Sequence, residues 1–334
     1  MRAFVTGATG FIGGHVARRL RERGDEVVAL VRAPERAAPL GDIGCRLVEG
    51  TLSSEPVIRD AVSGADAVFH VAAIYKVGIP RSARPEMYDA NVIGTQRVLD
   101  AAIAAGVPRI VHVSTINVFG NTRGRVVDET YRRDEADGFL TYYDETKYLA
   151  HRVAEDRIAA GAPVVIVQPG GVYGPNDPSD LGNLIGRVRA GKLPFKAYPE
   201  TGFNFVHIGD AATGILLCHD RASLGQSYVL GGELSTLGAF IDAVARLAGR
   251  KPPRITVPPF LLKLGIPFGP LVGRFLGLQP NLRELIRAAE GVTYWATDEK
   301  ARRELGYSPR DLETGLRQTL SARADVLRSS DASR

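Results

Sequence analysis

Sulfur and indole are nearly missing from this 334-residue chain, which has two cysteines, two methionines and one tryptophan. Cys45 and Cys218 stand far apart, neither with a second cysteine nearby, so neither a disulfide framework nor a zinc cluster is indicated and buried free thiols are expected. The histidines, His15, His70, His112, His151, His207 and His219, form no Cys/His or HExxH grouping. Metal catalysis therefore lacks a ligand set, no metal is expected, and satisfied structural histidines are the expectation. Charge of one sign is also missing: 42 basic and 37 acidic residues leave a net +5, and no stretch reads as a nucleic-acid-binding arm.

Long uninterrupted apolar runs are absent too. Met1-Arg2 leads straight into Ala3-Phe4-Val5, too short for the apolar core of a signal peptide, so a cytoplasmic protein is expected. Val257 to Leu278 is rich in Phe and Leu, but Pro258, Pro259, Lys263, Pro267, Pro270 and Arg274 interrupt it. A bilayer needs about 20 continuous apolar residues, so short helices over a substrate pocket or a partner surface are expected, and no membrane span.

What is present is an apolar content of 45%, enough for a full core in one large domain plus a smaller lobe. Short β-branched runs at Ala3–Thr6, Glu26–Val31, Arg46–Glu49, Ala67–Val71, Arg109–Ser114 and Val164–Gln168 alternate with helical patterns at Phe11–Arg23, Pro85–Ala105 and Phe139–Ala160. That alternation predicts a doubly wound, parallel α/β sheet of Rossmann type. After Pro169 it gives way to proline- and glycine-rich loops. The expected division is a dinucleotide-binding domain over 1–169, a C-terminal substrate lobe over 170–320 and a tail over 321–334, frayed from Ser329. Asn204–Ile208 and Ser227–Leu230 are candidates to return to the sheet.

The first strand runs into Gly7-Ala8-Thr9-Gly10-Phe11-Ile12-Gly13 and then a helix. Glycines there permit positive φ and close approach to a pyrophosphate, while the helix start offers free N–H groups. Gly7, Thr9, Gly10, Phe11, Ile12 and Gly13 are therefore candidate cofactor contacts. The second strand ends at Val31-Arg32 with no acidic residue to hold a ribose 2′-hydroxyl; Arg32 instead suits a 2′-phosphate, so NADP is expected and NAD is the alternative.

Tyr143 and Lys147 stand at i and i+4, on one face of a predicted helix. A cation beside a phenol favours the phenolate and would bring Tyr143 toward the range of an acid–base catalyst. Ser114 and Thr115 end a strand, where ligands of such sheets bind, and either hydroxyl could hydrogen-bond a reacting oxygen. Tyr75, Lys76, Asn117, Phe119, Tyr173 and Phe203 are candidate pocket walls.

Taken together, the glycine turn, His70-Val71-Ala72-Ala73, Asn91-Val92-Ile93-Gly94-Thr95, Ser114 to Gly120, Tyr143 to Lys147 and Pro169 to Pro175 resemble the extended short-chain dehydrogenase/reductases over roughly residues 1 to 320. Within that family the chain looks most like the dihydroflavonol reductase and 3β-hydroxysteroid dehydrogenase branch, with some likeness to sugar epimerases. The resemblance implies that Tyr143 is the acid–base residue and Lys147 its ribose-binding partner. It implies that Thr115 is the substrate-facing hydroxyl, with Ser114 as fallback. It also puts Pro169 and Val172 by the nicotinamide and Ala72 and Ala73 along the cofactor groove. The substrate implied is a small carbonyl compound or alcohol, and the expected state is monomer or homodimer. Two departures stand out: Gly50-Thr51-Leu52, where the family usually has an acidic residue facing the adenine, and Gly209, where many members have Asp. The family's dehydratases carry an acidic pair after the threonine, where this chain has Ile116 and Asn117. Its nucleotide-sugar enzymes commonly have Asn where Gly171 stands. A nucleotide-sugar epimerase is thus the second reading, and an inactive cofactor-binding regulator the third.

Overall fold

The computed structural model describes residues 1–264 and 281–331. Six strands follow one another as expected: β1 (Arg2–Thr6), β2 (Glu26–Val31), β3 (Arg46–Glu49), β4 (Ala67–His70), β5 (Ile110–Val113) and β6 (Val164–Pro169). The second half contributes β7 (Gly171–Tyr173), β8 (Lys196–Ala197), β9 (Gly202–His207), β10 (Ser227–Leu230), β11 (Glu233–Thr236) and β12 (Thr256–Val257). The main sheet is seven-stranded in the order β10-β6-β5-β4-β1-β2-β3, and every pairing in it is parallel. Its order reverses between β1 and β4, the crevice where such sheets bind dinucleotides.

These strands are nearly continuous Val, Ile, Leu, Ala and Phe because both faces are covered. Along each strand alternate side chains part: Ala3, Val5, Val27, Ala29, Val111 and Val113 join one core, and Phe4, Val28, Leu30, Val68 and Ile110 the other. The first core packs against α1 (Phe11–Glu22) and α8 (Ile208–Arg221). The second packs against α3 (Glu55–Val62), α5 (Gly94–Ala104) and α6 (Tyr142–Ala159). The short α2 (Ala38–Asp42) and α4 (Arg84–Tyr88) complete this half. Cys45 and Cys218 are buried free thiols.

The helix expected over Pro85–Ala105 is interrupted. Between α4 and α5 the chain makes a π turn at Asp89–Ile93, the kind of one-residue excess that redirects a side chain at a functional position. Here it delivers Asn91 inward. The helix expected from Phe139 starts at Tyr142, because the Thr141 hydroxyl accepts a hydrogen bond from the Asp144 amide at 2.9 Å and caps the first turn.

Asn204–Ile208 does not rejoin the main sheet. Its β9 residues pair with β7 and β11 in a three-stranded sheet, whereas β10 adds to the main sheet beside β6. The smaller lobe is built on this second sheet with α7 (Asp180–Arg189), α9 (Leu237–Leu247) and α10 (Pro259–Leu264). It continues through α11 (Leu282–Arg287) and α12 (Glu299–Leu305) to α13, whose helix (Leu312–Asp331) takes up most of the expected tail. Its core centres on Phe240, stacked on Phe205 with ring centroids 4.2 Å apart. Phe240→Ala is expected to cost about 3–5 kcal/mol, measurable as a lower urea midpoint with an unchanged slope.

Candidate active site

The turn after β1 is shaped by glycine. Gly7 has φ +74°, and a Cβ on it would lie 2.7 Å from the Ala72 amide nitrogen; one on Gly13 would lie 2.2 Å from the Gly7 carbonyl oxygen. Only hydrogen fits at either place, so the β1 turn, the loop after β4 and the start of α1 close on one another. The α1 start has no side-chain cap and no acidic residue in its first turn, which leaves its amides and dipole free for an anion. Thr9 and Gly10 are exposed there, and Phe11 and Ile12 are half-buried. This cradle fits a dinucleotide pyrophosphate. Ala72 and Ala73 line the opposite loop, while Pro169 and Val172 stand where β6 passes into β7. Arg32 is exposed just past the end of β2.

Behind this turn a buried network fixes the loop after β4. The Thr95 hydroxyl donates to the Asn91 carbonyl at 2.7 Å, so its 2.9 Å contact with His70 must be a ring N–H donating to Thr95. That leaves His70 Nδ1 to accept from the Thr6 hydroxyl at 2.8 Å, and the Ala72 amide donates to the same hydroxyl at 3.3 Å. Burial lowers His70 to about 3, so it stays neutral. Asn91 clamps both polar backbone groups of Ile74, at 2.7 and 3.1 Å, and donates to Thr146 on α6 at 3.0 Å. His112, stacked on His70 at 5.4 Å, departs from the expectation of satisfied histidines: neither of its buried ring nitrogens has a partner among the described residues. No group of three potential metal ligands occurs among the described residues.

The two strand-end hydroxyls face different ways. Ser114 Oγ lies 2.9 Å from His151 Nδ1 on α6 and is committed to that helix. Thr115 lies on the other side, beside the Tyr143 phenol, where its side chain favours the phenolate. Its one hydroxyl proton goes to Asn117 Oδ1 at 3.3 Å, a long bond easily exchanged for another acceptor. Asn117 is held in turn by donating to Asp144 Oδ1 at 2.8 Å.

Lys147 is buried, its Nζ donating to the Val113 carbonyl at 2.9 Å, and burial lowers it to about 8. The expected lowering of the Tyr143 phenol by this cation does not occur. Burial, the Tyr75 phenol and Asp144 hold Tyr143 well above its ordinary value, and only the Thr115 bond acts in the opposite direction. Burial also raises Asp144 to about 6.

Tyr75, read from the sequence as a candidate pocket wall, meets the Tyr143 ring edge-on at 4.8 Å and is 54% exposed, so it forms the rim over the phenol. Two further contacts were not assigned from the sequence. Buried Glu284 accepts from the Tyr142 amide at the start of α6, and the Asn281 amide donates to the Gly78 carbonyl at 3.1 Å. The segment around α11 thus braces both loops that flank the phenol. Of the positions noted as departures, Thr51 closes a local turn through its amide to Ser54 Oγ at 3.1 Å, and the Gly209 carbonyl accepts from Arg19 at 3.0 Å. In the apolar segment Phe260 and Leu261 are exposed; the side chains of Leu262 and Leu264, and all of Phe268, Leu271 and Phe275, lie outside the described residues.

A model of the NAD dependent epimerase/dehydratase family matches residues 3–231. The chain belongs to that family. It is 31% identical over 319 residues to sterol demethylase protein B of Methylococcus capsulatus, covering 92% of this chain and 94% of the relative. It is also 31% identical to a 4-hydroxy-2-methyl-3-oxo-4-farnesyl-3,4-dihydroquinoline-1-oxide ketoreductase of Stigmatella aurantiaca, covering 93% and 92%. Among solved structures the crystal structure of gox2253 superposes with a TM-score of 0.83 at 32% identity, over 96% of this chain and 97% of that one. The protein is an oxidoreductase of the extended short-chain dehydrogenase/reductase type.

Proposed function

We propose that the protein reduces the carbonyl group of an apolar ketone or aldehyde with NADPH, and oxidises the corresponding alcohol in the reverse direction. The observation that carries the reading is the convergence of Tyr143, Thr115 and Lys147 at the end of β5. A nicotinamide dinucleotide, when bound, supplies the hydride. Tyr143 then donates its phenolic proton to the substrate oxygen as negative charge develops there, and the Thr115 hydroxyl hydrogen-bonds that oxygen. Lys147 is charged below about pH 8 and would hold the ribose hydroxyls of the bound dinucleotide. Since the phenol is held high, Tyr143 keeps its proton at neutral pH, which suits reduction. An apolar substrate is supported by the Tyr75 rim and by the sterol and farnesyl compounds in the relatives' names.

The test is NADPH consumption against a panel of steroid, isoprenoid and aromatic ketones, aldehydes and nucleotide sugars. No NADPH consumption with any carbonyl compound, together with interconversion of nucleotide-sugar epimers, would replace this reading with the epimerase one.

Cofactor preference is assigned to Arg32, although Glu49 stands opposite Val31 on β3. A charged hydrogen bond is worth about 1.5–3 kcal/mol, so Arg32→Ala is expected to weaken NADP binding roughly ten- to hundredfold and NAD binding little. Fluorescence titration with both cofactors checks this; equal loss for both would rule out pairing with the 2′-phosphate.

A further inference from the structure

The net charge of +5 is unevenly placed. Residues 243–283 hold seven basic side chains, from Arg246 to Arg283, and no Asp or Glu, so the remainder of the chain has 35 basic against 37 acidic residues. Arg246 and Lys263 are neutralised by Glu313 and Glu290 at 2.9 and 2.8 Å. Arg250, Lys251 and Arg254 are exposed, and none of them makes an ion pair among the described residues.

Apolar exposure concentrates in the same segment. Ile255, Phe260 and Leu261 are 64%, 61% and 47% exposed, three of the eight large apolar side chains so exposed among the described residues, and they fall within seven positions. Scattered exposed apolar residues are ordinary; a cluster flanked by free cations is not. The backbone here is fixed at its start: β12 pairs with β8, the Ile255 carbonyl accepts from the Lys196 amide at 2.8 Å, and prolines stand at 252, 253, 258 and 259. Arg250 also lines a cavity of about 430 Å³ with Arg189, Leu247, Ala248, Leu320 and Arg317, the last paired with Glu313 at 2.6 Å. Guanidinium groups beside apolar side chains suit a phosphate attached to an apolar body.

We propose that residues 250–261 dock the protein onto an anionic lipid surface, with Arg250, Lys251 and Arg254 against the phosphate headgroups and Ile255, Phe260 and Leu261 entering the headgroup boundary. A second copy docked two-fold through this segment would bring the same positive charge against it, whereas phosphate headgroups over an apolar interior match both the cations and the apolar side chains. No helix among the described residues is long and apolar enough to cross a membrane, and the attachment proposed is a peripheral one.

The full chain is sedimented with phosphatidylcholine vesicles, with and without phosphatidylglycerol, at low and high salt. Pelleting is expected with the anionic vesicles alone, falling as salt screens the charges. At roughly fivefold per cation, reversing three charges in Arg250→Glu/Lys251→Glu/Arg254→Glu should weaken binding at least about 100-fold. Ile255→Ser/Phe260→Ser should weaken it about tenfold or more. These exposed changes should leave Tm unchanged. The measurement requires no turnover, so its outcome is independent of the reductase reading. Failure to pellet with anionic vesicles at low salt, equal pelleting with neutral ones, wild-type binding by the charge-reversed variant, or pelleting without vesicles would each overturn the proposal.

Discussion

Tyr143→Phe is expected to reduce turnover by about 10² to 10⁴, the usual contribution of a positioned general acid, while folding and NADPH affinity survive. The change keeps the ring that packs with Ile79 and Met87 and meets Tyr75 edge-on, and removes only the hydroxyl. The neighbouring Tyr142 is the internal control, because its ring lies under the Arg84 guanidinium at 4.6 Å. Tyr142→Phe should leave the rate within a few-fold. Single-turnover kinetics on a substrate found in the panel separates the chemical step from product release. A Tyr143→Phe rate near wild type would remove the phenol from the mechanism.

The sheet was legible because parallel strands buried on both faces must be nearly all apolar, as in Val27-Val28-Ala29-Leu30-Val31. The glycine turn was legible for a similar reason: Gly7 and Gly13 stand where a Cβ has no room. Periodicity also put Tyr143 and Lys147 on one helix, but it says nothing of what surrounds them. The brace from Glu284 to the Tyr142 amide spans 142 residues, and no local pattern announces it. The π turn at Asn91 was hidden because its composition is that of an ordinary helix; Asn91 reveals its task only when Ile74 and Thr146 arrive to meet it. The ionisation of the phenol was misread from sequence spacing alone, since i, i+4 separation measures proximity along a helix and not desolvation. Burial of Tyr143, the Tyr75 phenol and the charge of Asp144 hold the phenol up, while the lysine's ammonium is turned to the Val113 carbonyl. The segment from β12 onward illustrates a different limit. Its apolar composition was read as cover for a substrate pocket or a partner surface, and composition does not distinguish a side chain that lines a cavity from one, like Phe260, that faces out.

Lys147→Met should separate stability from activity, because the two are expected to move in opposite directions. Burial lowers this lysine from its ordinary 10.5 to about 8. The folded protein therefore holds the proton less tightly than the unfolded chain, and the charged lysine destabilises the fold at every pH below about 8. That difference corresponds to about 3 kcal/mol at pH 7, and it fades as the pH rises from about 8 to the ordinary lysine value of 10.5. Methionine removes the buried charge with similar bulk but leaves the Val113 carbonyl without its donor, a loss of about 1–2 kcal/mol. The variant should thus be more stable than wild type by about 1–2 kcal/mol at pH 7, with the advantage gone near pH 10. Turnover should nevertheless fall by at least about 10², since the proposed lysine holds the ribose and so positions the cofactor for hydride transfer. Such a gain in stability on loss of function is what a desolvated functional cation predicts. Urea unfolding of both proteins at pH 7 and pH 10, beside cofactor titration and turnover, makes the comparison. Equal destabilisation of the variant at both pH values would show that Lys147 is held as an ordinary structural hydrogen-bond donor, and undiminished turnover would take it out of the site altogether.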